Sequence, residues 1–268
     1  MLGIRGKKTR FELSAYGKHP AFSDYFSLNT DSPLVTALSV WVEEGTKRKG
    51  NHNKKIHSFR FWVRGIKKGE LALGIIRDSS DHLGRPYPLL ITGVGFVKNW
   101  EKKWNYIFSS FGTVFRAFED ISASRYDSFR ELETSLARIS FPESLWINDS
   151  VLEGETSDRE MNERFRLPEM MMAWFNKDRE KGELSLPVAT LSGLFASTAR
   201  KRKEGGLFGR KTQLPGAVFL GGLPENPVLT IYTRPLKTDD FRNLFTAFHG
   251  SGNTMDDTAN KGDKSDGS

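Results

Sequence analysis

The chain contains no cysteine in 268 residues. That absence removes disulfides, thiolate metal sites, iron–sulfur clusters and a cysteine nucleophile together, and it fits a reducing compartment best. Histidine is nearly as scarce: His19, His52, His57, His82 and His249 make up the whole set, and their spacing matches no metal-ligand pattern. No apolar run reaches the roughly 20 residues that a membrane-spanning helix needs. Behind the basic residues Arg5, Lys7, Lys8 and Arg10, the stretch Phe11 to Ala15 is too short, and too broken by Glu12 and Ser14, for a signal-peptide core. The expected location is the cytoplasm, without stable membrane insertion.

Catalytic signatures are missing too. The segment Gly206-Leu207-Phe208-Gly209-Arg210-Lys211-Thr212 superficially resembles a phosphate-binding loop. A Walker A, however, needs a Gly immediately before the Lys and a longer spacer between its glycines. No zincin helix, EF-hand loop or nucleophile elbow occurs. A protein without cofactor, bound metal or enzymatic activity is therefore expected. The 40 Lys and Arg against 33 Asp and Glu leave a formal charge of +7, which raises the question of anionic partners. The excess is spread over Lys47-Arg48-Lys49 with Lys54-Lys55, Lys67-Lys68, and Arg200 to Lys203 followed by Arg210-Lys211, all beside Gly or Asn. These read as solvated loops. No aromatic RNA-binding pair, zinc finger or helix-turn-helix accompanies them, so no nucleic-acid partner is expected.

What is present is ample material for a core, with 20 Phe and 6 Trp. A chain of this length buries about three quarters of its unfolded surface. Phe11 to Tyr16 alternates weakly as a first strand, and Gly17-Lys18-His19-Pro20 ends it. Asp31 or Ser32 can cap a helix that has Pro33 at its first position, Leu34, Ala37, Leu38 and Trp41 on one face, and Gly45 as its end. Phe59, Phe61 and Val63 alternate with Arg60, Trp62 and Arg64, the pattern of a strand with one buried face. After a turn at Lys67-Lys68-Gly69, Leu71 to Ile76 and Leu89 to Phe96 are apolar on both faces. Such strands are covered by helices on both sides, and the short connection makes the first pair an antiparallel hairpin. The pattern predicts an α/β fold, a three-layer α/β/α sandwich with a mixed, partly antiparallel sheet.

Trp100, Trp104, Ile107, Phe108, Phe111, Phe115 and Phe118 share one helical stripe, and Phe129, Leu132, Leu136 and Ile139 share another. Residues 141–167 are poorly patterned, and Glu169 to Phe175 suggests a further buried helix. A basic, glycine-rich loop over 200–212 precedes strands at Ala217 to Gly221 and Val228 to Tyr232, and a last helix runs from about Asp239 to Phe248. Beyond His249 the composition cannot offset its own ordering entropy. The expected organisation is one α/β domain over 1–248, with its core over about 11–140, and a disordered tail over 249–268.

Two loops concentrate unusual chemistry. Gly17-Lys18-His19-Pro20-Ala21-Phe22-Ser23-Asp24-Tyr25-Phe26 sets Asp24 among aromatics just ahead of the first helix. Ser79-Ser80-Asp81-His82-Leu83-Gly84-Arg85-Pro86-Tyr87-Pro88 places a carboxylate and a guanidinium between two buried strands. Burying a lone charge is costly, so an Asp–Arg pair joining the loops, specifically Asp24 with Arg85, is expected. An alternative is a pocket around Asp24, Asp81, His82 and Arg85 that processes a small molecule or phosphoester.

The first loop is similar to the "GKxPxxGDF" opening of the TagF/ImpM family, accessory proteins of bacterial type VI secretion. The hairpin from Phe59 onward, closing in Ser79, Asp81, Gly84-Arg85 and Tyr87-Pro88-Leu89, resembles that family's "SxDxxGRxFPL" block. The order of the two blocks, with the Trp41 helix between them, also agrees. Ser23 stands where the family usually has Gly, His19 replaces an aliphatic residue, and Asp78 replaces a Pro. The resemblance implies a three-layer α/β/α fold and a non-catalytic post-translational regulator. Such a regulator is typically a repressor acting through a forkhead-associated scaffold protein. Its matched positions, Gly17, Lys18, Pro20, Ser23, Asp24, Ser79, Asp81, Gly84, Arg85 and Pro88, would close the fold or contact the partner.

Overall fold

The computed structural model describes residues 10–47, 56–142, 182–187 and 214–246. Strands β1 (Phe11–Gly17) and β2 (Phe26–Leu28) precede helix α1 (Pro33–Lys47), followed by β3 (Ser58–Arg64), β4 (Glu70–Arg77) and β5 (Leu89–Phe96). Two single 3-10 turns (Trp100–Lys102, Trp104–Tyr106) lead into α2 (Ile107–Ser110), α3 (Gly112–Ala123) and α4 (Phe129–Ala137). The last described elements are β6 (Glu183–Pro187), β7 (Ala217–Leu223), β8 (Asn226–Tyr232) and α5 (Thr238–Thr246). The helix expected over Glu169 to Phe175, the basic loop 200–212 and the tail beyond His249 lie outside the described residues, as does most of 141–167.

The eight strands form one sheet in the order β2-β1-β5-β4-β3-β7-β8-β6. Every pairing in it is antiparallel, which corrects the expectation of a mixed sheet. The reason lies in the connections. A parallel neighbour requires a crossover of a dozen or more residues, usually helical. The consecutive strands that are adjacent here, β1 with β2, β3 with β4, β4 with β5 and β7 with β8, return directly through hairpins and loops without a helical crossover. Neither β2 nor β6 was legible as a strand beforehand: β2 spans three residues, and β6 ends in Pro187, a residue tolerated at a sheet edge.

Alternation along the strands divides the core in two. From β3, Phe59, Phe61 and Val63 join a cluster with Val35, Leu38, Trp41 and Val42 of α1 and Phe241, Leu244 and Phe245 of α5. Trp62 joins a separate cluster with Trp100, Trp104 and the inner residues of α2, α3 and α4. β3 therefore has no solvent face, contrary to its reading as a strand with one buried face. Trp62 is fully buried against Trp100 at 5.3 Å between ring centroids, and Arg60 makes two 2.7 Å hydrogen bonds to Glu119 of α3. The polar half of the alternation is thus a bidentate tie to a helix. The single long helix expected from Trp100 to Phe118 is instead broken into 3-10 turns, α2 and α3. Asn99 sits in the left-handed region (φ 61°), and Asn105, Ser109, Ser110 and Gly112 are weak helix formers.

Gly45 does not end α1, which continues to Lys47. It is buried, and a Cβ there would run into the Cβ and ring of Phe241 on α5. The glycine lets two helices approach closely on one face of the sheet. Gly45→Ala should therefore cost about 1–3 kcal/mol in denaturant unfolding, and noticeably less in a Phe241→Ala background, which removes the Cγ and Cδ1 that crowd the site. Equal costs in both backgrounds would show that the close approach is not what selects glycine.

Candidate functional site

Sheet register brings the two motif loops together. β1 pairs with β5 so that Gly17 faces Leu89, which sets the end of β1 beside the start of β5. The loop leaving one strand and the loop entering the other share an end of the sheet. Gly17 has φ 122°, and a Cβ on it would collide with the Pro88 carbonyl, so only glycine fits. Past it, the Lys18 amide donates to that carbonyl at 3.4 Å, and the His82 amide donates to the Phe22 carbonyl at 3.0 Å.

Asp81 is the centre of the site. It is 1% exposed, and both of its oxygens are engaged. Oδ2 accepts from Lys18 Nζ at 3.0 Å and from Arg85 Nε at 2.7 Å. Oδ1 accepts from the amides of Leu83 at 3.1 Å and Arg85 at 2.9 Å. Arg85 also donates through a terminal nitrogen to the Ser23 carbonyl at 2.7 Å, so one guanidinium holds both loops. Gly84, at φ 76°, makes the turn that brings Arg85 back onto Asp81, and the Ser79 carbonyl closes the loop by accepting from the Tyr87 amide at 3.0 Å. Lys18 is itself buried, with its ammonium 4.4 Å from the centre of the Tyr25 ring. Tyr25 packs edge-on against Tyr87, whose hydroxyl lies 3.2 Å from that of Tyr16.

The expected Asp24–Arg85 pair does not form. Asp24 is exposed, and its carboxylate accepts from the Tyr25 amide at 2.8 Å, a local turn bond. Arg85 is satisfied four residues away by Asp81, where two backbone amides already favour a negative charge. What sequence reasoning missed is the role of Lys18. The cost of burying an unpaired charge applied to it as much as to Asp24, and its aromatic surroundings were the signal. Pro20, Asp24, His82 and Arg85 are exposed while Asp81 is buried, with both of its oxygens committed to Lys18, Arg85 and the loop amides. Among the described residues, no group of three or more His, Cys, Asp and Glu could hold a metal ion.

Burial by itself would raise the Asp81 pKa. The Lys18 ammonium, the Arg85 amide and the Arg85 guanidinium outweigh it and hold the carboxyl well below the usual carboxylate range. The neighbouring His19 is shifted down, chiefly by burial and secondarily by Arg77. Its Nδ1 accepts from the Ala21 amide at 3.2 Å, and its ring lies 5.4 Å from that of Tyr126.

A carboxyl with a depressed native pKa binds fewer protons folded than unfolded. Its stabilisation is complete above an unfolded pKa of about 4 and is lost as pH falls below that. The stability gap between the wild type and Asp81→Asn should therefore be constant from neutrality down to about pH 4 and narrow under more acid conditions. A gap unchanged across the acid range would remove Asp81 as the ionised centre. Asp24→Asn should change stability by no more than about 0.5 kcal/mol at neutral pH, as expected of an exposed side chain. A loss comparable to that of Asp81→Asn would restore Asp24 to the network.

No helix among the described residues is long and apolar enough to cross a membrane. None of the curated proteins compared with the chain matches it. Among solved structures, the chain is similar to the crystal structure of PA0076 from Pseudomonas aeruginosa PAO1. Identity is 15%, coverage is 91% of this chain and 97% of that one, and the TM-score is 0.48. Residues 14–140 match the family model of the TagF N-terminal domain, described as type VI secretion system-associated. That span takes in β1 from Ser14 onward, the Lys18–Asp81–Arg85 centre and both loops it joins, so it is the motif-bearing part of the chain that is similar to the TagF N-terminal domain of type VI secretion-associated proteins.

Proposed function

We propose that this protein is a non-catalytic accessory regulator of a type VI secretion system, a cytoplasmic post-translational repressor that acts by binding a forkhead-associated scaffold protein. One observation carries the reading: Lys18, Asp81 and Arg85 of the motif loops pair with one another, while Tyr25, Leu83 and part of the Arg85 side chain face outward. Tyr25 is 54% exposed and Leu83 66% exposed, and the Arg85 side chain is 54% exposed even while it binds Asp81. Aromatic and arginine side chains on a rigid support are the composition of protein-binding hot spots. The non-catalytic reading is supported by Asp81, the one deeply buried carboxylate of the motifs. Each of its oxygens already accepts two hydrogen bonds, and its low pKa makes it a poor proton carrier near neutrality. The division of the core into two clusters supports reading the domain as three layers.

The experiment is capture of the purified forkhead-associated scaffold by the full chain, by Tyr25→Ala/Leu83→Ser and by Val40→Ser, an exposed apolar residue on α1. Capture should fall about tenfold or more for the loop variant and persist for the α1 variant. No capture by the wild type overturns the proposed partner. Equal capture by all three forms moves the docking face away from the motif loops.

A further inference from the structure

Beside the motif loops, the turn from α3 to α4 and one side of α4 form an open cleft of about 530 Å³. Arg125, Arg130 and Arg138 line it, together with Tyr126, Thr134 and Glu131. All three arginines are exposed, and none has a carboxylate partner among the described residues. By contrast, Arg60 pairs with Glu119, Arg85 with Asp81, and Arg234 with Asp240 and Glu183. The one carboxylate lining the cleft, Glu131, accepts from the Asp127 amide at 3.0 Å, which ties it to the start of the helix. Asp127 and Glu133 are exposed nearby, but neither lines the cleft.

We infer that this cleft holds an acidic, extended polypeptide segment of the protein that docks on the motif loops. The inference rests on the docking role proposed above and adds the chemistry of what is recognised. Spacing selects an extended ligand. Arg130, Thr134 and Arg138 follow one another at four-residue intervals, with Arg138 still in helical conformation as the C-cap of α4. The two arginines stand about 12 Å apart along the helix. At that spacing each guanidinium can take a separate carboxylate. Carboxylates four residues apart on an extended chain, at about 13 Å, match it. Guanidinium forks suit carboxylates in geometry as well as charge.

Position joins the cleft to the motif loops. Phe129, the first residue of α4, packs edge-on against Phe22 and Phe26 at 5.8 and 5.5 Å, and Tyr126 contacts His19. A partner seated on Tyr25 and Leu83 can therefore run an acidic stretch past α4 without leaving the surface.

The test uses the full chain and a short fluorescein-labelled peptide with two glutamates four positions apart in a Gly/Ser background, read by fluorescence anisotropy. Binding should weaken with added salt, and Arg130→Glu/Arg138→Glu should weaken it about tenfold or more with unchanged circular dichroism. If that variant unfolds, the Arg130→Gln and Arg138→Gln single variants carry the test, each expected to lose part of the affinity. Undiminished binding in the substituted chains, equal affinity for a peptide with adjacent glutamates, or equal affinity for duplex DNA overturns the inference. Scaffold capture separates it from the proposed function. Loss of peptide binding together with weakened scaffold capture supports the inference. Peptide loss with undiminished capture overturns it and leaves the docking role standing. Peptide binding by a wild type that captures no scaffold defeats the docking role instead.

Discussion

A single buried carboxylate organises the motif-bearing end of this protein. Asp81 has lost its water, and four donors replace it: an ammonium from one loop, and a guanidinium and two amides from the other. Removing charges from water costs several kcal/mol per ion before their attraction is counted, so an arrangement of this kind is retained only where geometry satisfies every lone pair. The geometry depends on the sheet. β1 and β5 must pair in a register that sets Gly17 opposite Leu89, and Gly17 must lack a side chain, or Lys18 cannot reach across. Arg85 then bonds the Ser23 carbonyl, and the two loops become one rigid surface.

Under the proposed docking role, that rigidity bears on binding more than on net stability. A buried ion pair is a weak stabiliser compared with well-packed apolar groups, but it specifies one arrangement over many. Here it orients Tyr25 by placing the Lys18 ammonium against its ring, and it fixes the turn that displays Leu83. Preorganised side chains lose little entropy on association, which is how a small apolar patch can bind tightly. The neighbouring arginines of α4 behave differently. They lie outside the internal network and keep their donors free of carboxylates among the described residues, a state that costs nothing while they remain hydrated.

The rest of the molecule supports this end by dense packing. Trp62 meets Trp100 and Trp104 on one face of the sheet, while Phe59 and Phe61 meet the α1 and α5 residues on the other. Because Gly45 lets α5 close on α1, and Arg60 ties α3 to β3, both helical groups are held to the strands next to β4 and β5. The loops are mounted on those strands.

Much of this was readable from residue order alone. Period-2 and period-3.6 patterns placed β1, β3, α1 and α4, and apolar runs bounded by turn residues placed β4, β5, β7 and β8, because each buries its apolar positions whatever its neighbours are; a last helix was legible at α5. The two motif loops were also visible, as charges set between apolar runs. Pairing was not. Local sequence can state that a buried Asp needs a cation, but which cation arrives is decided by strand register, which brought Lys18 to Asp81 across 63 positions and left Asp24 to a local amide. The direction of strand pairing, the interruption of the Trp100–Phe118 stripe and the packing role of Gly45 depended likewise on contacts between distant segments. Composition and periodicity report what each residue must bury; only the tertiary structure decides against what.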